Sequence, residues 1–265
     1  MKYLLRFEDD MALDPSIVGH KFASLARAKR SGFDVPSAVA IRVEVNDFYR
    51  RNKDWPEGLQ SEVRDTAKEI GLSRGVSVRS SSTQEDLEGK SFAGQYKTYL
   101  DIRDEDDLKD KIEKCWESAE SQVVFDYIDD RADRNEAPLM SVMIQRMVHA
   151  KAAGVAFSRN PMYPLRDEVV VEGVLGLGEK LVSGHVTPYR VFVRSEEIVK
   201  DKTTSEMGKT DGMILENIKW REIAALAGKA EARAGGKPQD IEWAIDGNDK
   251  LWLLQSRPIT TIREV

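Results

Sequence analysis

Asp240-Ile-Glu-Trp-Ala-Ile-Asp-Gly-Asn-Asp-Lys-Leu-Trp-Leu-Leu-Gln-Ser-Arg-Pro-Ile-Thr260 reads as two strands joined at Gly247-Asn248. Successive strand side chains point to opposite faces, and a Gly-Asn pair between two alternating runs predicts a two-residue hairpin turn. With residue 246 facing 249, Asp240 is expected to face Gln255, Glu242 to face Leu253, and Arg257 to lie on the same face beyond Gln255. The opposite face takes Ile241, Trp243, Ile245, Trp252 and Leu254. One face then meets a core, and the other gathers Asp240, Glu242, Gln255 and Arg257 toward one end. Hard divalent cations take carboxylate and amide oxygens, and Mg2+ commonly shares its shell with phosphates that a neighbouring arginine also binds. An amphipathic hairpin with a solvated polar face fits the same spacing, since alternating strands are common in antiparallel sheets.

A chain of 265 residues is long enough for one large domain or two smaller ones. With 46 acidic against 40 basic residues and a net charge of -6, the surface offers no general attraction for nucleic acid. Any phosphate site is therefore local. The single cysteine, Cys115, forms no intrachain disulfide, fits a reducing compartment, and is expected to pack in a helix beside Trp116. The first ten residues meet charges too soon for a secretory signal, and no apolar run approaches membrane-spanning length. The expectation is a soluble, cytoplasmic protein with no membrane partner.

Upstream of the hairpin, Tyr3 to Phe7 reads as an edge strand and Asp14-Pro-Ser-Ile-Val-Gly19 leads into a helix that turns Phe22, Leu25 and Ala26 inward. Strands are expected at Val35–Ile41, Val76–Ser80 and Tyr96–Ile102, with helical stretches through Phe48 and from Val63 to Ile70. Asp104 to Asp129 is the clearest helix, because Leu108, Ile112, Trp116, Ala119, Val123 and Tyr127 recur at helical spacing. Beyond the charged connector 131–137 and Pro138, strands are expected at Leu139–Val148, Gly154–Ser158 and Glu168–Val174. A last helix from Trp220 to Ala234 stops at Gly235-Gly236. Helix-rich sequence thus gives way to sheet-rich sequence, which divides the chain into residues 1–138 and 139–265.

A second dense motif runs Val76-Ser-Val-Arg-Ser-Ser-Ser-Thr83 and resumes at Ser91-Phe-Ala-Gly-Gln-Tyr-Lys-Thr-Tyr99. Arg79 matches phosphate oxygens bidentately, the hydroxyls can donate to the same oxygens, and Gly94 permits close backbone approach. An ordinary Ser/Thr loop fits as well. Lys21 sits in a first helical turn, near the positive end of the helix where anions are favoured. A solvated surface lysine has the same signature.

Together these segments resemble the nucleotide-binding domain of the phosphoenolpyruvate synthase and pyruvate phosphate dikinase family. The resemblance runs through Gly19-His-Lys21, Ala23-Ser-Leu25, Gly32-Phe-Asp-Val-Pro36, Val78-Arg-Ser-Ser81 and Ser91-Phe-Ala-Gly-Gln95. It continues through Gln145-Arg-Met-Val148, Gly154-Val-Ala-Phe-Ser158, Asn160-Pro161, Gly176-Leu-Gly-Glu179, Val182-Ser-Gly184, Val186-Thr-Pro188 and the closing hairpin. It implies an α+β, ATP-grasp fold of two lobes, with MgATP in the cleft between them.

The resemblance further implies that Lys21 and Arg79 bind phosphates, that Gly94, Thr98 and Tyr99 belong to the loop and strand covering ATP, and that Gln145 marks the adenine hinge. Glu242 and Gln255 would hold Mg2+, Arg257 would contact the terminal phosphates, and Asp240 would stand close behind as a second acid. Lys21, Arg79 and Arg257 are thus the candidate catalytic cations. Family members cleave ATP to AMP and pass a pyrophosphoryl group to a histidine on a separate mobile domain. Positioning and charge neutralisation carry that chemistry without a nucleophile in the ATP-binding domain.

The family's Gly-rich segment with Ser-His-Ala, which bears the accepting histidine, has no counterpart here. His20 stands where the family usually has glycine, where it can donate to a phosphate or fill space. His149 and His185 read as polar loop residues. Tyr189 replaces an aspartate frequent in the family, and Ser195 to Asn217 matches no motif. The expected partners are a phosphohistidine-bearing domain or protein and an acceptor-binding domain. A nucleotide-binding regulatory module without transfer activity, and the ATP domain of a rifamycin-type antibiotic phosphotransferase, are the alternatives.

Overall fold

The computed structural model describes residues 2–84, 97–119, 139–178, 181, 187–195, 197–200 and 217–260. The expectations at Gly94 and its segment 91–95, at Val123 and Tyr127, in the connector 131–137, and at Glu179, 182–184, His185 and Val186 lie outside these residues. Two compact units are present: Met1–Arg30 with Pro36–Met147, and Ser31–Val35 with Val148–Val265. Helices pack on antiparallel sheets in each, an α+β architecture as expected.

The first unit is a five-stranded sheet in the order β1-β2-β5-β3-β4, built from Leu4–Arg6, Ala38–Ile41, Val76–Ser82, Thr98–Ile102 and Met140–Arg146 as β1 to β5. Every described neighbour pair is antiparallel. Alternation sorts its faces. Val39, Ile41, Val76, Val78, Val142 and Ile144 share one face and form a core with α2 (Val43–Asn52), α3 (Leu59–Ile70) and α4 (Glu105–Ser118). Trp116 is central to it, against Tyr49 and Trp55. Asp104 starts α4 by accepting the Asp107 amide, an N-cap. Cys115 is fully buried beside Trp116, as expected, and burial pushes its thiol up to about 12.

The other face carries Ser77, Arg79, Ser81, Gln145, Met143 and Ser141, in register across β3 and β5. Helix α1 (Pro15–Arg30) lies on this side: the Ser81 hydroxyl donates to the Val18 carbonyl and accepts from the Phe22 amide. The expected boundary after Pro138 severs β5 from the sheet in which it is a central strand. The division instead follows Met147, because β5 pairs with both β2 and β3.

The second unit is a six-stranded sheet in the order β11-β10-β6-β7-β8-β9. Its strands are Ala150–Phe157, Val169–Leu175, Tyr189–Arg194, Glu197–Lys200, Gln239–Asp246 and Leu251–Pro258, β6 to β11. Helix α5 (Asn217–Arg233) covers one face. There the cross-strand row Trp243, Gly154, Gly173, Tyr189 sets two adjacent glycines between two aromatics, and Trp220 of α5 contacts both aromatics. No side chain fits at Gly154, where a Cβ would stand 1.9 Å from the Glu172 carbonyl oxygen.

The closing hairpin forms with a different register. Asp246 pairs with Lys250 around a three-residue turn: its carboxylate accepts the Asn248 and Lys250 amides, and Asp249 adopts φ 64°. A bulge then follows at Leu254, so that Trp243 faces Leu253 while Glu242 faces Gln255 and Asp240 faces Arg257. The expected pairs Asp240 with Gln255 and Glu242 with Leu253 are therefore replaced. Trp252 also changes sides, opposite Ala244, and Leu253 becomes the buried residue.

Candidate functional site

In the second unit, the face away from α5 carries a cross-strand row of Gln255, Glu242, Val155, Glu172 and Arg190, with Arg257, Asp240 and Phe157 in the next. The hairpin quartet expected from the sequence thus shares one face, through different pairs. Arg257 donates from Nε and Nη2 to Oδ2 of Asp240, at 2.9 and 2.7 Å. Burial pushes the Asp240 carboxyl above the usual carboxylate range, against the pull of Arg257, and Glu242 and Glu172 add to the rise. Gln255 is buried beside the half-buried Glu242, so an amide and a carboxylate stand opposite each other.

Among the described residues, no three His, Cys, Asp or Glu side chains converge as a metal cluster. The hard oxygens of Glu242 and Gln255 nevertheless suit Mg2+, which keeps several waters and takes few protein ligands beside substrate phosphates. Glu172 and Arg190 escaped the sequence reading. Arg190 donates from Nε to Glu172 at 2.6 Å, on the row of Glu242. The signal was one charged residue in the apolar run Val169-Val-Val-Glu-Gly-Val-Leu175.

The loop after β6 is fastened from within. Asn160 donates to Glu168 at 2.6 Å and accepts the Met162 and Tyr163 amides, while Arg194 donates to Glu168 at 2.7 Å. The Asn160-Pro161 motif is thus a turn organiser.

In the first unit, α1 is broken at Gly19, with φ 72° and ψ 166°. This conformation belongs to glycine, and a Cβ there would lie 2.0 Å from the Ser81 carbonyl oxygen. A fresh helical turn begins at His20, which puts Lys21 in a first turn, as the sequence suggested. The Lys21 ammonium donates to the Ser80 carbonyl at 3.1 Å, one residue beyond Arg79. His20 donates from Nε2 to the Thr83 carbonyl at 3.2 Å, a contact just past the end of β3.

Arg79 is buried and points an Nη1 at Oε1 of Gln145, 3.5 Å away. The Gln145 amide nitrogen is buried and has no hydrogen-bond partner among the described residues. An orphaned buried donor is costly and suits a site that a ligand completes. Thr98 lies opposite Arg79 and is exposed. Tyr99 instead lies opposite Val78, on the other face, packed against the core with the Lys111 ammonium 5.5 Å from its ring centre. The pleat therefore separates Tyr99 from Thr98, with which it was grouped.

With this arrangement, the family is shown by sequence. The chain belongs to the family of the pyruvate phosphate dikinase AMP/ATP-binding domain, whose profile matches residues 50–265. It is 34% identical to a probable phosphoenolpyruvate synthase of Pyrococcus abyssi, over 81% of this chain and 30% of that protein. It is also 34% identical to the uncharacterized phosphotransferase YvkC of Bacillus subtilis, over 93% of this chain and 34% of that protein. The chain thus spans about a third of the length of these relatives. Among solved structures, the D-alanyl-alanine synthetase A of Vibrio cholerae is similar with a TM-score of 0.44 and 10% identity, over 90% of this chain and 54% of that one. No described helix is long and apolar enough to cross a membrane.

Proposed function

We propose that this chain binds MgATP and activates it for transfer, as the ATP-binding part of a dikinase-type phosphotransferase. The observation that carries the reading is the pairing of Glu242 with Gln255 beside the Asp240–Arg257 ion pair, all four on the sheet face opposite α5. Glu242 and Gln255 hold Mg2+ by their oxygens, and Arg257 presents its guanidinium to the terminal phosphates. Asp240 orients Arg257. In the first unit, Lys21 and Arg79 bind phosphate and Gln145 donates its amide hydrogen to the adenine ring. Gly94 and Thr98 cover the nucleotide.

The transfer breaks the bond between the α- and β-phosphates and forms a phosphorus–nitrogen bond to a histidine of another domain or protein. AMP leaves with the bridging oxygen. Bound Mg2+ supplies charge neutralisation on the phosphates, and the cationic side chains supply position and further neutralisation. The final acceptor is held by a further domain, and the surroundings are cytoplasmic. Family membership supports the nucleotide; the phosphoenolpyruvate synthase relatives support the transfer.

The test is incubation with labelled ATP, Mg2+ and a polypeptide carrying a candidate histidine. The expected result is AMP together with an acid-labile pyrophosphoryl group on the histidine, or phosphohistidine once water has released orthophosphate from it, all lost in Arg257→Ala. Nucleotide binding without either product, across histidine-bearing candidates, would favour a regulatory module instead. Absence of MgATP binding by calorimetry would remove the proposal altogether.

A further inference from the structure

Gly32-Phe-Asp-Val-Pro36 is part of the sequence pattern and has no role so far. Residues 31–35 belong to the second unit, although α1 before them and β2 after them belong to the first. They form a strap along β11, the edge strand of the six-stranded sheet. The Leu253 amide donates to the Asp34 carbonyl at 2.9 Å. Phe33 and Val35 are 4% and 2% exposed, so apolar burial anchors the strap on both sides of that bond. Lys229 of α5 clasps it from outside, donating to the Gly32 carbonyl at 3.1 Å with its ammonium 4.2 Å from the Phe33 ring centre. An exposed ion pair of Lys250 with Asp34, at 2.6 Å, adds little energy.

We infer that this strap is a positioning element for the polar face of the hairpin. Leu253, the residue it holds, comes immediately before the bulged Leu254. The bulge sets Gln255 opposite Glu242 and Arg257 opposite Asp240. An edge strand has no neighbour on its outer side to resist sliding, and a slip of one residue sends every side chain to the other face. Without the strap, loss of the bulge turns Gln255 and Arg257 toward α5 and leaves Glu242 and Asp240 without their partners. Phe33, Val35 and the Asp34 carbonyl thus act on the site through Leu253, without touching its polar face.

This inference rests on Glu242 and Gln255 being the Mg2+ ligands. The test compares calorimetric affinities for MgATP and for ATP with the metal chelated, together with hydrogen exchange at the Leu253 and Gln255 amides. Phe33→Ala is expected to weaken MgATP binding about tenfold, the scale seen when a ligand's supporting residues are removed, with a smaller loss for metal-free ATP, which depends on Arg257 but not on Glu242 or Gln255. Both amides then exchange faster, and Phe33→Leu restores much of the loss. The milder Lys229→Ala replaces an exposed side chain, keeps the fold and shifts MgATP affinity the same way, about threefold. It decides the question should Phe33→Ala not fold.

Glu242→Gln serves as the control for the metal reading. Wild-type MgATP affinity in folded Phe33→Ala and Lys229→Ala, with Glu242→Gln impaired, would overturn the strap alone. Equal weakening of MgATP and metal-free ATP would do the same. Unimpaired MgATP binding by Glu242→Gln would bring down the metal reading, and unchanged exchange at Leu253 and Gln255 in Lys229→Ala would still reject the strap independently.

Discussion

Arg257 aims two nitrogens at a single oxygen of Asp240, and the carboxylate it holds is the more buried partner of the pair. Burial raises the Asp240 pKa despite that guanidinium. A raised carboxylate binds more protons folded than unfolded, so its contribution to stability is largest below its ordinary pKa of 3.8 and is lost as pH rises through the folded-state value. Asp240→Asn is expected to abolish this component. The check is the thermal midpoint of both proteins from pH 4 upward: the gap between them should shift in favour of the asparagine variant as pH rises. A gap independent of pH would contradict the burial argument.

Gln145 offers a separation of stability from binding. Its unpartnered amide nitrogen is a cost to the folded state without ligand, of about 1–3 kcal/mol. Gln145→Met keeps the volume and removes that cost, giving up only a 3.5 Å contact from Arg79. The variant is expected to melt no lower than wild type and yet to bind ATP about tenfold more weakly, since one hydrogen bond to a buried polar edge is lost. Calorimetry and thermal melts on the same preparation check both halves.

Cys115 should be silent. Its thiol is fully buried and pushed up to about 12, so almost no thiolate forms at neutral pH. A thiol reagent at pH 8 is expected to leave the native protein unlabelled and to label it fully in denaturant. Rapid native labelling would mean that the α4 core opens readily.

The hairpin shows how far alternation carries. Asp240, Glu242, Gln255 and Arg257 were legible as one face, but their pairs were not. The turn holds one residue more than expected, with Asp249 in the left-handed region, and Leu254 adds another shift. Two single-residue shifts restore the parity of Gln255 and Arg257 while reversing that of Trp252 and Leu253. The first shift has a local cause, Asp246 accepting two turn amides, that a Gly-Asn turn signal masks; the second has none within the hairpin and coincides with an outside bond at Leu253. β8 was readable from Tyr189-Arg-Val-Phe-Val-Arg194, where Val191 and Val193 are the buried alternates, and went unread. The place of residues 31–35 was beyond reach, because it depends on an edge strand more than two hundred residues away.

Gly154 connects the two faces of the second sheet. A Cβ there would meet the Glu172 carbonyl oxygen at 1.9 Å and the Gly173 Cα at 2.8 Å, backbone atoms that cannot rotate away. Gly154→Ala must part β6 from β7, at a cost of about 1–3 kcal/mol. Displacement of β7 carries Glu172, in the adjacent row and two strands from Glu242. Lower thermal stability is expected together with weaker MgATP binding, and a variant as stable as wild type would show that the strands separate freely.

Gly19 and Ser81 together set Lys21, and two substitutions distinguish their parts. The Ser81 hydroxyl closes the break in α1, serving the Val18 carbonyl and the Phe22 amide at once. Ser81→Ala leaves both backbone groups without it, at about 1–3 kcal/mol, but does not force the chain to move. Gly19→Ala does force it, because φ 72° with ψ 166° is closed to alanine and the new Cβ would lie 2.0 Å from the Ser81 carbonyl. The helix start must then shift, and the Lys21 ammonium leaves the Ser80 carbonyl beside Arg79. Ser81→Ala is accordingly expected to lose stability and retain most ATP affinity, whereas Gly19→Ala loses both, its ATP affinity falling to that of Lys21→Ala. Melts and ATP titrations of the three variants check the order; ATP affinity near wild type in a folded Gly19→Ala protein would separate Lys21 from the kink.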